Sequence, residues 1–144
     1  MKRSLWSFFV AFVGLTWLSS PVVAAESAWT DQKVSLGVVH PGKETRTLLQ
    51  VPTALAGRTQ GRVTRVDVSV DYPSSVVFHT RVCWAQTSQC VPVYGHRLDT
   101  SVFNGLDARG PVYVISTLQA DRPLPAPVFV KATVVVWYAS GSGS

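Results

Sequence analysis

The chain reads as all-β: a single antiparallel β-sandwich of about seven or eight strands, with one hairpin disulfide. Three observations predict this class. Apolar residues recur with a period of two, as in Val66, Val68 and Val70, or Phe78, Val82 and Trp84; that spacing turns one face of an extended segment toward a core. Valine and threonine dominate where strong helix formers are sparse. Proline- and glycine-bearing turns separate the apolar runs at short intervals.

Residues 1–25 have the order of a secretory signal. Lys2 and Arg3 supply the positive start, Leu5 to Leu18 an apolar run, Pro21 a helix break, and Val23 and Ala25 the small residues before a cut at Glu26, with Ala24 a near alternative. The apolar run is about 14 residues, shorter than the ~20 that a bilayer span needs. No lipidation cysteine follows it. The expectation is export with cleavage, a domain over 26–139, and no stable membrane insertion afterwards. Residues 140–144, Ser-Gly-Ser-Gly-Ser, read as a flexible tail.

Within the domain, Ala28-Trp29-Thr30 reads as a lead-in. Lys33 to Val39 alternates Val34, Leu36 and Val38, and predicts a strand. His40-Pro41-Gly42-Lys43 is a turn, because proline sets φ and glycine supplies positive φ. Glu44 to Val51 returns as a strand, and Pro52 to Gly61 is a polar loop. Arg62 to Asp71 is the next strand. Val63 falls out of phase with Val66, Val68 and Val70, which predicts a bulge near Thr64. After the turn Tyr72-Pro73-Ser74-Ser75, Val76 to Trp84 puts Phe78, Thr80, Val82 and Trp84 on one face and His79, Arg81 and Cys83 on the other. Cys90 to Tyr94 resumes as a strand, at an edge because of Pro92. Gly95 to Pro111 is the longest irregular segment, with Val102-Phe103 touching the core. Val112 to Gln119 is a strand, Ala120 to Pro127 a proline-rich turn, and Val128 to Tyr138 the last strand. Its two apolar faces around Val134-Val135-Val136-Trp137 mark it as central or well covered.

The chemistry is narrow. Lys and Arg total 13 and Asp and Glu 8; without Lys2 and Arg3 the balance is 11 against 8, a formal +3. The basic residues are scattered, where nucleic-acid binding needs a concentrated stripe. No glycine-flanked serine elbow and no paired-carboxylate pattern is present. His79, His96 and Asp99 are the nearest approach to a metal set, with no spacing that requires them to converge. The expectation is no enzyme, no cofactor and no metal. Cys83 and Cys90 are the only two cysteines. In an exported chain, across a hairpin, they predict a structural disulfide, and their spacing is not that of a Cys-x-x-Cys redox site. Aromatic residues are the best hint of a ligand: Trp84, Tyr94 and Trp137 are the candidate partner or ligand contacts. Trp84 adjoins Cys83, so a fixed loop presenting it predicts that Trp84→Ala weakens function and leaves the fold intact.

The order of these segments resembles the FlhE family of periplasmic flagellar proteins. The resemblance rests on Ala28-Trp29, on Arg81-Val82-Cys83 with Ser88-Gln89-Cys90-Val91, on Gly95, the Phe103 region and Pro111. It is strongest over Leu124-Pro125-Ala126-Pro127-Val128-Phe129-Val130 and the closing Val134-Val135-Val136-Trp137-Tyr138. It implies a non-enzymatic periplasmic accessory of the flagellum, with a chaperone- or plug-like role in export and assembly that limits proton leak. Its partners would be flagellar export or rod and filament components. Exposed strand edges suit the addition of an extended partner segment, with the C-terminal strand the expected acceptor. Two other classes compete: a carbohydrate- or envelope-binding module that stacks sugars on aromatic platforms, and a pilus-type chaperone or subunit.

Overall fold

The computed structural model describes Ser19 and residues 26–140; apart from Ser19, the expected signal segment lies outside the described residues, as does the end of the glycine-serine tail. Eight strands run in chain order: β1 Glu26–Val34, β2 Glu44–Leu49, β3 Arg62–Asp71, β4 Val77–Trp84, β5 Gln89–Val93, β6 Arg97–Thr100, β7 Val112–Gln119 and β8 Lys131–Ala139. They form two four-stranded antiparallel sheets, β1-β8-β3-β6 and β2-β7-β4-β5.

The pairing has a simple origin. β4 pairs β5, β3 pairs β6, β2 pairs β7 and β1 pairs β8. The chain is thus one long hairpin ribbon whose tip is the β4–β5 turn. The ribbon is rolled until β8 also meets β3 and β7 also meets β4. That is the double-sheet jelly roll. The β4–β5 hairpin is the one strand pair between chain neighbours, and the Cys83–Cys90 disulfide staples it, the two residues lying directly opposite each other.

The core fills from alternate positions, because successive side chains on a strand point to opposite faces. Val66, Val68, Val134 and Val136 of the first sheet and Val82, Trp84, Val112 and Val114 of the second are buried between the layers. Thr80 and Ser116, cross-strand partners in the core, share a hydroxyl hydrogen bond of 3.2 Å. β8 is central, paired on both sides, and β5 is an edge, both as the sequence predicts. The bulge falls between Val63 and Arg65, at Thr64. Gly42 takes φ +78° in its turn.

Five expectations are corrected. The lead-in around Trp29 belongs to the nine-residue strand β1. Lys33 to Val39 is not one strand: β1 ends at Val34, Leu36 is 83% exposed, and Val38 makes only an isolated bridge to Val128. The last strand starts at Lys131, not Val128. The irregular stretch after Gly95 contains β6. Its remainder, residues 101–111, caps one end of the sandwich. Val102, expected at the core with Phe103, is 47% exposed; Phe103 and Ala108 are fully buried, and Trp29 Nε1 donates to the Ala108 carbonyl at 2.8 Å.

Candidate binding surface

The cysteines and aromatic residues singled out in the sequence do not converge. Cys83 and Cys90 lie on the outer face of the second sheet. Trp84, one residue on, points the other way, into the core, with no exposed surface. Its ring lies 5.4 Å from that of Phe103. A Cβ on Gly110 would collide with the indole, so the 101–111 cap approaches Trp84 as closely as glycine allows. Trp84 is therefore a core residue and not a surface contact. Its neighbour Val82 and the alternation of β4 dictate that direction. The expectation that Trp84→Ala spares the fold is withdrawn with it. Trp84 Nε1 is one of two buried side-chain polar atoms without a hydrogen-bond partner among the described residues; the other is Trp137 Nε1.

Trp137 stands on the outer face of the first sheet, beneath the guanidinium of Arg65 at 4.9 Å from the ring centroid. Tyr94 follows β5 and is 85% exposed. Of the three aromatic candidates it alone is freely accessible. The histidines are separate as well. His96 Nδ1 donates to the Val70 carbonyl at 3.0 Å and its ring lies 4.6 Å from Tyr72, while His79 sits on the outer face of β4. Among the described residues no three metal-ligating side chains converge.

The register assembles a surface that the sequence did not suggest. On the outer face of the second sheet one row runs Arg46, Ile115, Arg81, Pro92 across β2, β7, β4 and β5. The next row runs Leu48, Tyr113, Cys83, Cys90. Ile115 and Cys83 face outward yet are only 4% and 6% exposed. In register Ile115 lies between Arg46 and Arg81, and Cys83 between Tyr113 and its disulfide partner Cys90. Arg46, Arg81, Tyr113, Ile115 and the disulfide line a shallow hollow of about 250 Å³.

Its electrostatics centre on Glu44. Arg81 Nη2 donates to Glu44 at 2.7 Å, and Arg46 Nη2 lies 3.7 Å from the second carboxylate oxygen. The hydrogen bond and charge of Arg81 hold the Glu44 carboxyl below its ordinary value, with Arg46 adding to the effect. Two guanidinium groups share one carboxylate, which leaves the hollow cationic over an apolar floor. Around the turn of β2, a second slot of about 340 Å³ runs between Leu36–His40 and Lys43–Arg46. Arg46 lines both. Sequence reading missed Arg46 because its partners on β7 and β4 are set only by long-range register.

No family model matches the chain, and no curated protein matches it in sequence. Solved structures do match. A serine protease of Aeromonas sobria aligns over 81% of this chain but 28% of its own, with 8% identity and a TM-score of 0.60; that likeness is to one part of a larger protein and shows fold alone. The crystal structure of FlhE aligns over 81% of this chain and 99% of its own, with 22% identity and a TM-score of 0.67. The FlhE chain is matched essentially from end to end, and the protein has the FlhE fold.

Proposed function

We propose that this protein is an FlhE-like, non-catalytic accessory of the flagellum that works in the periplasm by binding flagellar export, rod or filament components. The observation that carries the reading is the end-to-end match to FlhE. The disulfide agrees with an oxidising compartment. The role is chaperone- or plug-like: a rigid sandwich presents a binding face and has no chemistry to perform. The C-terminal strand cannot accept an added segment, because β1 and β3 already pair both of its edges. The second sheet, with its cationic hollow and open β2 edge, is the surface for the partner. Deleting the gene in a flagellated host and following motility, filaments in the periplasm and cytoplasmic pH during flagellar expression tests this. Loss of motility, misplaced filaments or acidification supports the role; normal behaviour in all three contradicts it.

A further inference from the structure

The four sheet edges differ in how they are guarded. An unpaired edge is a template for another strand, and proteins blunt it with proline, short length or charge. β5 carries Pro92, and β6 has only four residues. On β1, Asp31 turns a carboxylate oxygen to the Gln50 amide at 3.0 Å, which ties that edge to the end of β2, and Lys33 lies 3.9 Å from Asp31. β2 is six residues long, Glu-Thr-Arg-Thr-Leu-Leu, with two β-branched residues and no proline. It pairs β7 on one side only.

The slot lies along that open side. Its far wall, Leu36–His40, directs its own hydrogen bonds away from β2. Val38 exchanges two with Val128, at 2.8 and 3.0 Å, and the Val39 carbonyl accepts from Leu124 at 2.9 Å. Among the described residues no backbone hydrogen bond joins this wall to Lys43–Arg46. The slot is thus bounded by one strand with an unpaired edge and one segment whose bonds at Val38 and Val39 go to Val128 and Leu124.

We propose that the slot takes an extended segment of a partner protein, added as a strand to β2, in which apolar side chains alternate with acidic ones. The inference rests on the binding role proposed above. The alternation follows from the pleat. Glu44 and Arg46 point to the outer face of their sheet, so outward side chains of an added strand would lie beside Arg46. Glu44 is already engaged by Arg81, and Lys43 makes no ion pair among the described residues. The uncompensated charge on this rim is positive, and acidic residues complement it. Its other side chains would lie within reach of Leu36, which lines the slot and is 83% exposed, and apolar residues suit it.

Amide NMR on the oxidised protein tests this with three short capped peptides: alternating valine and glutamate, alternating valine and lysine, and the valine-glutamate sequence with a central proline. The valine-glutamate peptide should shift amides of Lys43–Leu49 and Leu36–His40. At about ten times its dissociation constant it should slow exchange of the protected β2 amides about tenfold. The lysine and proline peptides should do neither, and Lys43→Glu with Arg46→Glu should reverse the charge preference. Equal binding of all three peptides, shifts confined to the Tyr113 hollow, or association of the free protein through β2 would overturn the proposal. Peptide seating in a protein whose gene deletion leaves motility untouched would uphold the slot and sink the flagellar role. A deletion phenotype without seating would do the opposite.

Discussion

The two outer faces of the sandwich are built from the same strand geometry and end in opposite states. On the first sheet the outward cations Arg62, Arg65, Arg97 and Lys131 are matched by the outward carboxylates Glu26, Asp67, Asp71 and Asp99. Arg97 meets Asp67 at 3.1 Å, and Arg65 lies 3.9 Å from Asp99 while covering Trp137. Four cations against four carboxylates leave that face without net charge. On the second sheet Arg46 and Arg81 share Glu44; Leu48, Tyr113, Ile115, Pro92 and the disulfide surround them, and Val77, His79, Thr117 and Gln119 complete the face without another carboxylate. A surface whose charges balance gains little net attraction for a charged partner. A surface with a spare cation over apolar ground gains both charge pairing and burial. The contrast assigns binding to the second face and solvation to the first.

The largest expected effect comes from comparing two tryptophans, Trp84 in the core and Trp137 on the first outer face. Trp84→Ala should cost about 3–5 kcal/mol, because it opens a cavity under the Phe103 cap; urea unfolding measures it. Trp137→Ala, on the charge-balanced outer face, should cost less than half as much. Equal losses would mean that the first face carries more of the fold than its position implies. Next in size is the staple. Replacing both Cys83 and Cys90 by Ala should lower stability by roughly 2–3 kcal/mol, from the chain entropy of an eight-residue ring. It should also blunt binding at the adjoining hollow.

Charge reversal separates the faces more cleanly. Arg46→Glu is exposed and should change stability by no more than about 0.5–1 kcal/mol, yet weaken capture of an acidic strand. Asp67→Asn with Arg97→Gln should be equally mild in unfolding and leave capture unchanged. The smallest effect lies in the cap, away from both faces. Arg109 donates to Asp107 from its side chain, at 2.9 and 3.2 Å, and from its backbone amide, at 3.0 Å. These hydrogen bonds, with the Arg109 charge, lower the Asp107 carboxyl from 3.8 to about 2. A carboxyl depressed in the native state stabilises it above the unfolded value and loses that contribution as pH falls toward 2. Arg109→Ala should therefore flatten part of the acid-unfolding curve between about pH 4 and 2, with no change in binding.

Much of the fold was legible because it depends on local alternation. β3 and β7 begin and end where the pattern says, and the phase slip at Val63 located the bulge. β1 and β6 were not legible, for different reasons. β1 buries only Trp29 of its nine residues, since it is an edge strand whose other inward positions sit at the margin of the sandwich. The better alternation downstream, Val34 and Leu36, points at solvent. β6 has four residues and is held by its register with β3. Of the site, the disulfide was readable from spacing and export. Trp84 was misplaced although its own alternation with Val82 and Thr80 points inward. Its place beside a cysteine had outweighed its phase. Arg46 and Arg81 stand 35 residues apart in sequence and meet only because β2 and β4 flank β7.

Complementation of the gene deletion with the two charge variants tests the central contrast most directly. The account predicts that the Asp67→Asn, Arg97→Gln protein restores motility and that the Lys43→Glu, Arg46→Glu protein, folded and exported to the same level, does not. Restoration by the second variant, or failure of the first at equal abundance, would contradict it.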